Sequence, residues 1–180
     1  MVTKSILSTL SACLFCLFIN SANAAIINLT AAINGNQEVP STGSPGTGTG
    51  IITLDDVTKL LSWNITYSGL TGTPTVSHFH GPAPVGSNAG VQVDIVANSD
   101  GSIASPMIGS VTITDTQAND LLGGFWYINI HSNIFPGGEI RGQVNVLPIP
   151  AASLLIGSGL LCLFGLVSRR KHTVYSLFKE

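Results

Sequence analysis

Residues 61–68 read Leu61-Ser62-Trp63-Asn64-Ile65-Thr66-Tyr67-Ser68, with a large apolar side chain at every odd position and a small polar one at every even position. Successive side chains of a strand point to opposite faces, so this period of two predicts a strand with one face in a core and the other toward solvent. The same period appears in Val91, Val93 and Ile95, in Val111 and Ile113, in Trp126, Ile128 and Ile130, and in Ile140, Val144 and Val146. Runs at residues 26–33, 50–54 and 75–80 bring the expected total to about eight short strands, separated by Gly, Pro, Asn and Ser. The expected fold class is all-β, an antiparallel, Greek-key-like β-sandwich of about eight strands. One short helix is added: Thr114 and Gln117 form a T-x-x-Q capping box, and Gly123 and Gly124 follow Leu121-Leu122 to close it. It is expected to bridge the two sheets. The stretch STGSPGTGTG at residues 41–50 reads as a flexible loop, and Asp55-Asp56 as a solvated turn.

Composition separates this middle from the two ends. The 180 residues are 44% hydrophobic and only 9% charged, against roughly 25% charged for an ordinary domain. Between Ala25 and Leu147 two cations, Lys59 and Arg141, stand against eight acids, which leaves that stretch at −6. Such a segment lacks the clustered Lys and Arg that phosphate neutralisation needs, so a nucleic-acid partner is excluded. Lys4, an apolar run at residues 6–19 and Ala22-Asn23-Ala24 read as a secretory signal helix, residues 1–24, cleaved by signal peptidase before Ala25. Leu10-Ser11-Ala12-Cys13 has the shape of a lipoprotein box, but the apolar run before it is too short. Residues 151–167 carry no charge and are followed by Ser168-Arg169-Arg170-Lys171. As a helix of about 150–168 they span a hydrocarbon core of about 30 Å, with the basic cluster cytoplasmic. The expected organisation is therefore 1–24 signal, 25–147 outer β domain, 148–171 C-terminal segment with its transmembrane helix, and 172–180 cytoplasmic tail. All three cysteines, Cys13, Cys16 and Cys162, lie in the apolar ends, so the outer domain folds without disulfides.

The residues with chemistry to offer are few. His78 and His80 are two apart on a predicted strand and share a face, with Phe79 on the other. His131 alternates with Asn129 and Tyr127, opposite Trp126, Ile128 and Ile130. Neutral imidazoles suit Cu or Zn, so His78, His80 and His131, with Asp94 as an additional carboxylate, form a possible metal or ligand set. The alternative, and the one preferred from sequence, is that each histidine hydrogen-bonds a loop backbone near the sandwich end. Glu139 and Arg141 share a face of the last strand and are expected to form a structural ion pair, with each other or with a neighbouring strand. No residue is assigned a catalytic role. There is no G-x-S-x-G, no H-E-x-x-H and no phosphate-binding glycine loop, and a hydrolase would need carboxylates such as Asp55, Asp94 and Glu139 to face one cleft.

LTAAINGNQEVP at residues 29–40, YSGL at 67–70, HFHGPA at 78–83, and WYINIHS with PGGEIRGQV across 126–144 resemble the CHRD domain, in that family's order and spacing. The resemblance implies an all-β extracellular module without established catalysis. The tail resembles a PEP-CTERM sorting signal of the VPLPA type, carried by Pro148, Pro150 and Ala151 and by Arg169, Arg170 and Lys171. That implies handling by an exosortase-type membrane enzyme, although residues 172–180 run past the usual end. A weaker likeness, to copper/zinc superoxide dismutase, rests on the H-x-H pair, the later histidine and the closing GEIRGQ. That family uses more histidine ligands and a disulfide. The expected function is thus an exported, surface-anchored, non-enzymatic CHRD module of the cell envelope or extracellular matrix, with membrane, processing enzymes and matrix components as partners and no required cofactor. The alternative is a periplasmic or extracellular Cu- or Zn-binding protein using His78, His80 and His131.

Overall fold

A computed structural model describes residues 25–148 of the chain. The signal helix, the transmembrane helix and the sorting-signal residues Pro150, Ala151, Arg169, Arg170 and Lys171 lie outside the described residues. A first compact unit ends at Asn145, and a second, beginning at Val146, falls almost wholly outside them. Among the described residues no helix is long and apolar enough to cross a membrane.

The strands are β1 (Ile26–Asn34), β2 (Thr47–Asp55), β3 (Leu60–Ser68), β4 (Pro74–His80), β5 (Val91–Asp94), β6 (Met107–Thr112), β7 (Tyr127–Ser132), β8 (Ile140–Gln143) and the two-residue β9 (Asn145–Val146). All nine belong to one sheet, eight of them antiparallel in the order β5-β4-β7-β8-β1-β2-β3-β6 and β9 pairing with β1 off that path. The expected pair of layers is realised as two arms of this single sheet, which curls over its own apolar face. In a flat sheet β4 and β3, five steps apart, would be separated by about 24 Å at about 4.8 Å per step. Yet the rings of Phe79 on β4 and Trp63 on β3 meet edge to face with centroids 5.4 Å apart. The curl nearly closes: Ser110 on β6 donates its N–H to the Asn98 carbonyl just beyond β5, at 3.3 Å.

The period-two reading of residues 61–68 holds side chain by side chain. Leu61, Trp63 and Ile65 are buried and meet Leu29, Ile52, Phe79, Met107, Trp126 and Ile128 in one core, while Asn64 and Thr66 are exposed. The helix, α1 (Asp115–Leu122), has the expected capping box between Thr114 and Gln117 and buries Ala118 and Leu121. It follows β6 directly, and Gln117 donates to Gln92 of β5 at 3.3 Å, so it links the two edge strands of one sheet.

Two expectations change. Residues 41–50 are not a free loop, because β2 begins at Thr47 and the segment before it is tied down. Its small residues permit close approach: a Cβ on Gly50 would fall 2.7 Å from the Ile128 side chain. The second concerns Glu139 and Arg141. Among the described residues the ion pair within 4 Å is Lys59 with Asp115, at 3.5 Å. Glu139 lies just before β8, where its carboxylate faces turn amides in place of a cation. Its Oε1 accepts from the Ser44 hydroxyl at 2.7 Å and from the Thr71 N–H, and its Oε2 from the Gly72 N–H at 3.2 Å. Its backbone carbonyl accepts from the Thr42 hydroxyl at 2.8 Å. One fully buried residue thereby joins the β1–β2 and β3–β4 connections to the β7–β8 hairpin.

Burial pushes the Glu139 carboxyl up, but the donors from Ser132, Ser44, Thr71 and Gly72 prevail and hold it below the ordinary value. A carboxyl depressed in the fold contributes stability that is present above its unfolded value of about 4.3 and is lost as pH falls through its folded value. Glu139→Gln is expected to destabilise the protein by about 1–3 kcal/mol near neutral pH. In denaturant titrations the gap to wild type should narrow below about pH 4.

Candidate metal centre

In the β5-β4-β7-β8 arm the apolar core covers one face of the sheet, and loops cover the other. All six residues of β7 and all four of β8 are buried. The register sets His78 opposite Asn129 and Asp94, His80 opposite Tyr127, and Asn129 opposite Arg141. Facing residues of antiparallel strands share a side, so His78, His80, Tyr127, Asn129, His131, Arg141 and Asp94 lie together beneath the loops. Phe79, Ile128 and Ile130 point the other way into the core.

The three histidines converge. One ring nitrogen from each of His78, His80 and His131 lies within 4.8 Å of the other two. His80 is 9% exposed and His131 8%. His80 Nδ1 is 2.9 Å from the Ala89 carbonyl, and His131 Nδ1 is 2.9 Å from the Pro136 carbonyl. A carbonyl only accepts, so each Nδ1 carries the proton and each Nε2 the lone pair. Both loop contacts preferred from sequence for these two rings are therefore present, and they free the opposite nitrogens for a ligand. His80 Nε2 is buried without a hydrogen-bond partner, and His131 Nε2 lies 3.4 Å from His78 Nδ1. Three nitrogens bound at about 2.0–2.1 Å to a tetrahedral cation stand about 3.4 Å apart. The His78–His131 pair already has that separation.

Burial lowers the proton affinity of His78, the neighbouring His131 lowers it further, and Asp94 opposes. Burial lowers that of His80 as well, against the Ala89 hydrogen bond and with help from His78, His131 and Arg141. The neutral, ligating form of both rings is thus favoured.

The expected carboxylates do not join this set. Asp94 faces His78 across the strand pair but accepts from the Ala97 N–H at 2.8 Å. Asp55 accepts from Val57 and Thr58 in the β2–β3 turn, which is the turn expected there. Glu139 is engaged by Ser44, Thr71 and Gly72. The three acids serve three separate backbone turns and offer no shared cleft to a hydrolase.

Sequence reasoning missed the residues behind the histidines. Tyr127 stacks on His80, with centroids 5.1 Å apart and planes at 8°. The guanidinium carbon of Arg141 is 3.4 Å from the Tyr127 centroid. The sequence signal for Arg141 was its isolation as one of two cations in the outer domain. Glu38, also buried, follows the 3-10 turn Gly35–Gln37 and leaves Oε1 without a partner. Burial raises its carboxyl to about 7 despite the opposing charge of Arg141 and a hydrogen bond from the Val39 N–H.

The sequence model of the CHRD domain family matches residues 29–144 of the chain, which include all three histidines. No curated protein and no solved structure matches.

A carboxyl raised in the fold contributes stability that is full below its unfolded value and is lost as pH rises through its folded value, here about 7. Glu38→Gln stays neutral throughout. Its stability should therefore gain on that of wild type as pH rises from about 4.3 to about 7, with no further gain above that, whereas a constant gap in melting temperature across that window would show Glu38 to be solvated.

Proposed function

The chain belongs to the CHRD domain family, and from that premise we propose that it is an exported module whose His78, His80 and His131 cluster binds a transition metal, copper or zinc. Membership suggests an extracellular or periplasmic module. The observation that carries the metal reading is the arrangement of the rings: two loop carbonyls hold Nδ1–H of His80 and His131, which leaves both Nε2 lone pairs free, and one nitrogen of each of the three rings lies within 4.8 Å of the others. Metal-bound histidines are held in this way, with the second ring nitrogen donating to a carbonyl or carboxylate. A set of three neutral imidazoles suits Cu or Zn better than the oxygen-seeking Mg or Ca.

In the protein without metal, His78 donates from Nδ1 to the His131 lone pair. Moving that proton to His78 Nε2 presents a third lone pair, and a cation replaces the hydrogen bond. His80, on the strand beside a register shift between Phe79 and His80, offers the third ring nitrogen, within 4.8 Å of the other two. The role is binding without turnover, and no catalytic residue is assigned.

Delivery rests on the sequence. Residues 1–24 act as the signal read by signal peptidase. The segment from Pro148 through Lys171 anchors the protein at the outer face of the membrane or is processed by an exosortase-type enzyme. Exposed loops, among them the one after His80 with Val85 74% exposed, are the surface offered to matrix components.

Elemental analysis of the purified full chain is expected to find about one copper or zinc per molecule, absent from a His78→Ala/His80→Ala variant. Added metal at 100 times its dissociation constant should stabilise wild type by about 2.7 kcal/mol. Metal-free protein whose melting temperature ignores both ions would end the metal reading. For the tail, mass spectrometry of the protein from its native envelope is expected to find a C-terminus near Pro150, and an intact Glu180 would show anchoring without processing.

A further inference from the structure

We infer that Arg141 and Tyr127 are positioning residues for the histidine cluster, setting the orientation and tautomer of His80 through the loop at residues 81–90. The consequence for metal affinity rests on the metal-binding reading above; the consequence for the His80 ring does not.

Arg141 is 1% exposed on β8, and no carboxylate lies within ion-pair distance of it among the described residues. A buried guanidinium without a counter-ion is costly unless its donors are satisfied. A structural core position is served better by an apolar side chain of the same volume, so the cation points to a task that its shape performs. One nitrogen donates to Asn88 Oδ1 at 2.9 Å and the other to the Ser87 carbonyl. Its planar face covers the Tyr127 ring. The fork therefore fixes two consecutive loop residues, and the plane fixes the aromatic ring on which His80 stacks.

Tyr127 fixes the third loop residue. Its hydroxyl accepts from the Ala89 N–H at 3.0 Å and lies 3.4 Å from the Ala89 carbonyl. That carbonyl is the acceptor for His80 Nδ1–H. Ser87, Asn88 and Gly90 are exposed, so the acceptor is held by these side chains, by the Asn88 bond to the Val39 carbonyl at 2.9 Å, and by the loop's own backbone bonds from Gly81 N–H to the Gly90 carbonyl and from Ser87 N–H to the Pro84 carbonyl. Guanidinium, phenol, loop carbonyl and imidazole form one chain of contacts ending at the His80 ring, one nitrogen of which lies within 4.8 Å of nitrogens of His78 and His131. Lysine carries the same charge without the fork or the plane, so it cannot supply the same constraint.

The test uses the full chain with 15N-labelled histidine, comparing wild type, Arg141→Lys and Asn88→Ala. Asn88 is exposed, so its variant keeps the core intact should Arg141→Lys fail to fold. Long-range 1H–15N spectra of metal-free wild type are expected to show His80 as a single Nδ1–H tautomer. Both variants should show a mixture, and their copper affinity by competition titration should fall about 10- to 100-fold, the usual cost of losing a partner behind a metal ligand. A pure Nδ1–H tautomer in either folded variant would overturn the inference. So would wild-type copper affinity in them where wild type binds copper. Absence of copper uptake by wild type itself would count against the metal reading alone, because the tautomer readout still decides the role of Arg141.

Discussion

A strand covered on one side by a hydrophobic core and on the other by loops meets two different demands. The core side requires apolar atoms. The loop side presents backbone carbonyls that have lost water and must receive donors. In the β5-β4-β7-β8 arm the donors come from side chains of the sheet and of the loops themselves. His80 serves Ala89, His131 serves Pro136, Arg141 serves Ser87, Gln92 serves Gly81 and Gln143 serves Ala83 and Gly124. A regular polar face on a fully buried strand is the outcome, and the candidate site is one part of it.

This constraint explains why a structural and a ligand-binding role for the histidines do not compete. Imidazole has two nitrogens on opposite sides of the ring, so answering a loop carbonyl with Nδ1–H leaves Nε2 as an acceptor. Lysine or arginine in the same place would satisfy the carbonyl and bring a permanent charge. Asparagine or glutamine would bring a weaker metal ligand. The buried and unpartnered Nε2 of His80 is costly at about 1–3 kcal/mol as a lost hydrogen bond, and a bound cation removes that cost. A fold selected for stability alone has no reason to keep such a group beside two other histidines.

The strands were legible because each needs only its own residues to declare its period: Leu61, Trp63 and Ile65 enter the core as their alternation requires, and Phe79 turns away from His78 and His80. The helix was legible because its capping box is local. What escaped the sequence depends on contacts far along the chain. Glycines and serines at 41–50 read as flexible by composition, yet Ser44 and Thr42 meet Glu139, more than 90 residues away. Glu139 and Arg141 looked like partners because they are two apart. A carboxylate is satisfied equally well by turn amides, and a guanidinium by carbonyls and an aromatic face, so their spacing could not identify either partner. Convergence of His131 on the H-x-H pair required the β4–β7 pairing, which no single strand encodes.

Glu38 and Glu139 show how little burial alone determines. Both are acids with almost no exposed surface, and both flank the covered face of the same arm. Glu139 collects hydroxyl and amide donors and stays ionised. Glu38 has an oxygen without any donor and holds its proton to about pH 7. The difference lies in geometry at Gly138, where an added Cβ would sit 2.7 Å from Glu38 Oε1 and 2.4 Å from Asn129 Oδ1. The Asn129 amide nitrogen is equally near, at 2.5 Å, so both side chains fill a space that only a glycine leaves open. Burial without a donor for that oxygen favours the protonated form of Glu38. The Arg141 charge favours the ionised acid, but burial outweighs it, and the guanidinium donors are committed to Ser87 and Asn88.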